Sequence, residues 1–149
     1  MLLKDLCTPD VVCCAPDRSA LHAARLMRER HVGDVVVVED TETGQSPIGL
    51  VTDRDIVVEV LAKELDPARV TLRQIMRTPA VIASTSEEVL QAVERMKAHG
   101  VRRIPVVDES SRLVGILSLD DLLKRLAADA ATLAEVIVRE QDREHRTRR

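Results

Sequence analysis

Residues 49–55 read Gly-Leu-Val-Thr-Asp-Arg-Asp, and the pattern returns 66 positions later, where residues 115–121 read Gly-Ile-Leu-Ser-Leu-Asp-Asp. In both copies an apolar run ends at a hydroxyl residue, Thr52 or Ser118, and an acid follows three positions later. This spacing is typical of a helix N-terminus closed by a capping box. The same groups also suit a nucleotide, because the acid can hold a ribose diol while the helix N-terminus attracts phosphate. The local pattern leaves both interpretations open.

The duplication extends well beyond this segment. Met27 matches Met96 at an offset of 69, and the β-branched run at 35–38 matches residues 104–107 at the same offset. Hydrophobic periodicity predicts the order β-α-β-β-α twice. Each half alone would leave apolar strands uncovered, so we expect the halves to share a core about a pseudo-two-fold axis. The predicted fold class is mixed α/β (α+β), built from tandem β-α-β-β-α repeats.

The repeats are expected to occupy residues 1–66 and 67–127, followed by a helical extension with a charged tail at 128–149. In the first repeat, residues 39–46 are polar and predict a long turn between two strands. In the second repeat, the apolar residues 80–82 predict the opening strand. The helical spacing of apolar residues continues past the second repeat, which favours packing of the extension on a second subunit.

The composition limits the classes of ligand and partner. The chain has 149 residues, of which 45% are apolar and 32% charged, with a net charge of −3, as expected of a soluble globular protein. Without a basic surplus, a nucleic-acid partner is not expected. The chain contains no Phe, Tyr or Trp, which argues against binding of single strands by base stacking. Any bound base must therefore lie between aliphatic side chains.

The three cysteines, Cys7, Cys13 and Cys14, are an odd set near one end of the chain. Such a set does not fit a disulfide framework, so reduced thiols and a cytoplasmic location are expected. Their spacing with His22 or His31 matches no zinc motif, so no metal site is expected. No apolar run approaches the roughly 20 residues that cross a bilayer, and the N-terminus lacks a signal-peptide pattern, so no membrane association is expected.

Residues 99–108, His-Gly-Val-Arg-Arg-Ile-Pro-Val-Val-Asp, together with the two Gly-x-x-Ser/Thr-x-x-Asp segments, resemble a pair of cystathionine-β-synthase (CBS) domains, or Bateman module. The resemblance covers about residues 2–127 and implies a stand-alone member with two clefts. In this family the clefts commonly bind adenosine compounds such as AMP, ADP, ATP or S-adenosylmethionine. Many members regulate another protein, and members commonly pair into dimers. The resemblance therefore implies a regulatory nucleotide sensor, a homodimer and an unidentified regulated protein.

The resemblance also implies roles for individual residues. The acid that holds the ribose diol corresponds to Asp55 and Asp121, and the hydroxyl that contacts sugar or phosphate corresponds to Thr52 and Ser118. The backbone that contacts the adenine edge corresponds to Pro9, Asp10, Thr78, Pro79 and Ala80. The aliphatic residues around the base correspond to Val81, Ile104 and Pro105, and the residues that face phosphate correspond to Arg102 and Arg103. Val35 is a further implied ligand contact.

The two copies differ where phosphate is expected. The second copy has Arg102 and Arg103 where the first has Gly33 and Asp34. Arginine grips phosphate through charge-assisted bonds, whereas an aspartate repels it. Arg54 either compensates in the first copy or is a surface residue. We therefore expect tighter binding of phosphorylated adenosine in a second cleft framed by Ala80, Arg102, Arg103, Ser118 and Asp121.

A second acid, Asp120, lies beside the ribose acid of the second copy. Its charge favours a neutral or cationic ligand there, or a phosphate bridged by a metal such as the Mg²⁺ that accompanies ATP. No other cofactor is expected. An enzyme is not expected either, since His22, His31, His99 and the acids form no nucleophile–base pair. The alternative to a nucleotide sensor is a ligand-free scaffold for protein–protein interaction.

Overall fold

Two three-stranded sheets with accompanying helices make up the fold. The structure is a computed structural model that describes residues 1–147. The repeated β-α-β-β-α order confirms the predicted fold class, with a helical turn ahead of each repeat. The elements are a 3-10 turn at Leu3–Asp5, β1 (Cys13–Cys14), α1 (Ala20–Arg30), β2 (Asp34–Thr41), β3 (Gly44–Thr52), α2 (Asp53–Ile56) continued by a π-helical segment at Val57–Leu61, α3 (Leu72–Ile75), β4 (Ala83–Ser84), α4 (Val89–His99), β5 (Arg103–Val107), β6 (Leu113–Ser118) and α5 (Leu119–Thr147).

Each repeat contributes one sheet, in the order β1-β2-β3 or β4-β5-β6. The first strand of each sheet runs parallel to the second, and β2 pairs with β3 in the antiparallel sense. In the central strand β2, the first residue, Asp34, is followed by four buried valines at 35–38. β-branched side chains suit a central strand that is covered on both faces, which explains why this run is almost purely valine.

Two element boundaries differ from the sequence predictions. The long turn predicted over 39–46 is much shorter, because β2 extends to Thr41 and β3 begins at Gly44. The polar residues there extend the two strands as a mostly exposed hairpin. The strand predicted over 80–82 lies later, since the residues that pair with β5 are Ala83 and Ser84. Apolar residues ahead of this strand line a cleft, which the strand pattern alone does not reveal.

The two repeats are joined by a reciprocal exchange of backbone hydrogen bonds. Arg77, in the opening segment of the second repeat, exchanges two bonds with Leu50 of β3, at 3.0 and 3.3 Å. Thr8, at the equivalent place in the first repeat, exchanges two bonds of 2.9 Å with Ile116 of β6. The two contacts are equivalent under the internal repeat. This supports the pseudo-two-fold relation that the sequence predicts.

A glycine makes each of these close approaches possible. A Cβ on Gly49 would lie 2.7 Å from the Met76 sulfur and 3.0 Å from the Arg77 carbonyl oxygen. A Cβ on Gly115 would meet the Cys7 sulfur at 2.7 Å and a backbone carbonyl oxygen at 3.0 Å. Few real Cβ atoms lie so close to backbone, and the sulfur atoms of Met76 and Cys7 would also have to shift. Glycine is therefore strongly favoured at the equivalent position of both copies, and Cys7 acts there as a packing residue.

Clustering of contacts divides the chain into Met1–Leu117 and a second unit that starts at Ser118. The first unit contains both sheets apart from the last residue of β6. The second unit is dominated by α5, a 29-residue helix. None of the helices in the described residues 1–147 is long and apolar enough to span a bilayer.

We expect Gly49→Ala and Gly115→Ala each to lower the free energy of unfolding by about 1–3 kcal/mol, the usual cost of overpacking a tight contact. Denaturant titration followed by circular dichroism measures the change. Gln45→Ala, on an exposed part of β3, is the matched control and should change stability by less than about 0.5 kcal/mol. Equal effects of all three substitutions would contradict the close approach.

Candidate functional site

A cleft with two lobes lies in the unit Met1–Leu117 and draws residues from both repeats. The polar lobe has a volume of about 300 Å³ and is lined by Gly33, Leu50, Thr52, Asp53, Arg54, Arg77, Gly100, Val101, Arg102 and Arg103. The apolar lobe has a volume of about 120 Å³ and is lined by Leu50, Arg77, Pro79, Ala80, Val81, His99, Val101, Arg103 and Pro105. The two lobes share the lining residues Leu50, Arg77, Val101 and Arg103, so they form one continuous cleft.

Four arginines converge on the polar lobe from three segments of the chain. Arg54 belongs to the first turn of α2, Arg77 follows α3, and Arg102 and Arg103 lead into β5. Guanidinium groups bind phosphate and carboxylate oxygens through paired hydrogen bonds, so this arrangement favours an anionic ligand. One aspartate, Asp53, shares the lining and moderates the positive charge.

The capping box at the start of α2 is formed. The Thr52 amide donates to Asp55 Oδ2 at 2.9 Å, and the Asp55 amide donates to Thr52 Oγ1 at 3.1 Å. Asp55 is buried, and its other carboxylate oxygen lies 3.6 Å from Arg77 Nε. Both carboxylate oxygens therefore face protein donors. A ribose diol that reached Asp55 would have to compete with the Arg77 guanidinium.

Asp34 forms an ion pair with Arg103 in the wall of the cleft. Arg103 Nη1 lies 3.2 Å from Asp34 Oδ1. Burial raises the pKa of Asp34; the Arg103 guanidinium opposes this shift, and the nearby Asp53 carboxylate adds to it. A Cβ built on Gly33 would lie 3.3 Å from an Asp53 carboxylate oxygen, so these groups are tightly packed. Asp34 thus neutralises part of the arginine charge at the cleft.

The structure corrects the predicted pairing of sites. Arg102 and Arg103, expected in a cleft with Ser118 and Asp121, instead share the polar lobe with Thr52 of the first copy. The exchange of opening segments places Arg77 beside β3 of the first repeat, and the ion pair of Arg103 with Asp34 holds the start of β5 beside the first repeat as well. Arg54, whose role the sequence left open, also lines this lobe.

Ser118 and Asp121 close the N-terminus of α5. Ser118 Oγ donates to Asp121 Oδ2 at 2.7 Å and accepts from the Asp121 amide at 3.0 Å. Lys124 Nζ lies 3.8 Å from the other Asp121 carboxylate oxygen. Unlike Asp55, Asp121 is half exposed. The two boxes with the same sequence spacing are therefore hydrogen-bonded differently.

The remaining predicted contacts fall into two groups. Pro79, Ala80, Val81 and Pro105 line the apolar lobe. Val35 and Ile104 are fully buried core residues, whereas Pro9, Asp10 and Thr78 are exposed outside the lining of this cleft. Asp10 makes a surface ion pair with Arg30 at 2.7 Å.

Sequence reasoning missed several lining residues, of which Arg77 and Asp53 carry charge and Leu50 and Val101 do not. Arg77 directly precedes the predicted Thr-Pro contact, and that adjacency was the available signal. Leu50 had no such signal, because a strand residue that faces the other repeat cannot be recognised before the pairing of the repeats is known.

The titratable groups in residues 1–147 show no cluster of three or more His, Cys, Asp or Glu side chains able to hold a metal ion. The three cysteines are unpaired, and burial raises the pKa of each thiol. Raised thiol pKa values disfavour the reactive thiolate, as expected of cysteines with a packing role.

Comparison with known proteins identifies the family. A family model for the CBS domain matches residues 3–62 and 72–128, so the chain belongs to the CBS domain family as a tandem pair. An uncharacterized protein of Methanopyrus kandleri is 35% identical over 133 residues, which span 89% of this chain and 66% of that relative. Hypoxic response protein 1 of Mycobacterium tuberculosis is 32% identical over 127 residues, covering 85% of this chain and 86% of that protein.

The similarity extends to solved structures with bound ligands. A CBS domain pair in complex with 5′-methylthioadenosine and S-adenosyl-L-methionine superposes with a TM-score of 0.73 and 25% identity, covering 85% of this chain and 99% of the other. Modules of this family are generally regulatory, and at least one similar pair binds adenosine compounds.

The raised pKa of Asp34 predicts a pH-dependent contribution to stability. The folded protein holds a proton at Asp34 more tightly than the unfolded chain does. The resulting stability is fully present below the usual aspartate pKa of about 3.9 and is lost as pH rises through the higher folded value. Relative to Asp34→Asn, the wild type should therefore gain stability as pH falls from about 7 to about 4, measured by denaturant titration.

The control is the same comparison in an Arg103→Gln background. Without the guanidinium that lowers the pKa of Asp34, the pH window should move upward. A difference between wild type and Asp34→Asn that does not change with pH would contradict the assignment.

Proposed function

We propose that this CBS pair is a regulatory module that binds a phosphorylated adenosine compound in the cleft between its repeats. The observation that carries the proposal is the convergence of four arginines directly beside an aliphatic lobe. Such a cleft provides one end for an anion and another for an apolar ring system. The reduced thiols expected from the sequence fit a cytoplasmic module.

The aliphatic lobe is the place proposed for the base. Its apolar lining comes from Pro79, Ala80, Val81, Val101 and Pro105. Without aromatic side chains in the chain, the base must be held between aliphatic groups. These groups do not distinguish one purine from another. Selection of adenine therefore depends on hydrogen bonds between its edge and the backbone.

The charge of the polar lobe favours one class among the candidate adenosine ligands. Four arginines stand against Asp53 in the lining and the buried Asp34 and Asp55. The group therefore keeps an excess of positive charge, which attracts phosphate and opposes the sulfonium cation of S-adenosylmethionine. We favour AMP, ADP or ATP as the ligand class, with Mg²⁺ accompanying a triphosphate.

Binding would change how the two repeats are connected. A phosphate that engages Arg103 competes with its ion pair to Asp34, and a ribose that reaches Asp55 competes with Arg77. Both ion pairs join one repeat to the other. A ligand that replaces them favours a different arrangement of the repeats, which an unidentified regulated protein can detect. The exposed apolar residues on α5 support a homodimer as the working assembly.

One observation favours the alternative of a ligand-free scaffold. The charges of Arg77 and Arg103 are matched by the buried carboxylates of Asp55 and Asp34, so these two arginines do not need an anionic ligand. A screen of adenosine compounds by thermal shift separates the two functions. A ligand present at about 100 times its dissociation constant should add roughly 2.7 kcal/mol of stability. No stabilisation by AMP, ADP, ATP or S-adenosylmethionine would favour the scaffold.

The arginine cluster predicts a phosphate-specific loss of affinity. Arg54→Gln and Arg102→Gln should each weaken AMP binding by about 10- to 150-fold, the value of one charge-assisted contact of about 1.5–3 kcal/mol. Isothermal titration measures this loss. Adenosine, which lacks the phosphate, should bind each variant as it binds wild type. Arg28→Gln, on the exposed face of α1, is the control that should leave both affinities unchanged.

Base selection by the backbone predicts a preference for adenine over guanine. Guanine carries a carbonyl group where adenine carries an amino group, so at least one hydrogen bond is lost. A loss of about 1.5 kcal/mol corresponds to weaker binding of GMP than AMP by about tenfold or more. Equal affinities in isothermal titration would show that the lobe does not read the base edge.

A further inference from the structure

An apolar stripe runs along α5 with alternating spacings of three and four residues. Its members are Leu123, Leu126, Ala130, Leu133 and Ile137. Each of the four large side chains exposes more than half of its surface, with Leu133 reaching 70%. Two more exposed apolar residues, Val136 and Val138, flank the stripe. Exposed large apolar residues so densely placed on one helix indicate a surface that is covered by a partner.

The spacing of the stripe identifies the partner as another helix. A seam that repeats every 3.5 residues is the pattern of a coiled coil, in which each side chain of the seam fits between residues of a facing helix. Helices in water gain most of their stability from packing an apolar face. The 29 residues of α5 extend over about 44 Å at 1.5 Å per residue, which gives this seam ample length.

We propose that α5 pairs with α5 of a second copy as an antiparallel coiled coil centred between Ala130 and Leu133. In a two-fold interface, contacts are reciprocal. Ala130 then lies opposite the partner's Leu133, and Leu126 lies opposite the partner's Ile137. The two-fold axis generates each layer twice, so four apolar layers form. This assigns a surface to the homodimer proposed above and does not depend on the ligand.

The antiparallel direction follows from size and charge along the seam. A parallel pair would place Ala130 opposite its own copy and leave a gap, and would place Glu140 opposite its own copy with two like charges in the seam. The antiparallel pair instead matches the small Ala130 with the large Leu133. It also separates the two Glu140 carboxylates to opposite ends of the coiled coil, where each lies opposite the partner's Leu123 at the solvent-exposed end of the seam.

A charge-pairing experiment on the full chain tests the arrangement. Leu126→Lys and Ile137→Glu should each dissociate the dimer, so that light scattering at micromolar concentration reports the 16.5 kDa monomer. A mixture of the two variants should recover twice that mass. In the mixed dimer the introduced lysine faces the introduced glutamate of the partner, and the other outer layer keeps its leucine and isoleucine. Recovery on mixing also excludes misfolding as the cause of dissociation.

The control places the same charge elsewhere on α5. Val138→Glu, exposed but outside the seam, should leave the dimer intact. A monomeric wild type would overturn both the homodimer and its surface. Dimers that persist in Leu126→Lys and Ile137→Glu would overturn the surface alone. Dissociation of both variants without recovery on mixing would overturn the antiparallel arrangement. Titration of AMP into the same variants reports the ligand-binding function separately.

Discussion

The exchange of backbone hydrogen bonds between the repeats is the interaction on which the rest of this structure depends. Leu50 pairs with Arg77, and Ile116 pairs with Thr8, so each repeat completes the edge of the other. A side chain at Gly49 or Gly115 would crowd these close approaches. Because the opening segment of the second repeat lies against β3 of the first, the cleft is built from both repeats. A ligand in it therefore contacts both halves of the module at once.

Ion pairs in the wall of the cleft already balance part of its positive charge. Arginines that would repel one another are partly neutralised by carboxylates that are themselves buried, Asp34 and Asp55. Each carboxylate depends on its guanidinium, because burial without a partner opposes ionisation. A bound phosphate would take over the task of neutralising the arginines. The same contacts thus contribute to folding in one state and are available for ligand binding in the other.

The sequence predicts the fold well because the repeat is strong and the elements follow local periodicity. The capping box at Thr52 is predicted by its local pattern and is formed, whereas Pro79 and Ala80 were singled out by the family resemblance and lie in the lining of the apolar lobe. The pairing of the two copies was not, since a repeat shows which segments are equivalent but not which equivalent segments meet. For that reason Arg102 was grouped with the second box instead of the first. Val35, the equivalent of Ile104 in the first repeat, was expected to contact ligand, but it lies in a central strand and is completely buried.

The difference between the copies at Asp34 and Arg103 has a geometric cause. These two positions are equivalent under the 69-residue repeat, yet their side chains lie 3.2 Å apart. Equivalent positions that touch must lie at the pseudo-two-fold axis itself. If positions 34 and 103 carried identical residues, two arginines or two aspartates would face each other as like charges in the wall of the cleft. Opposite charges remove that repulsion. The divergence that first suggested one strong and one weak phosphate site is therefore one ion pair, whose members come from the two copies and meet in one cleft.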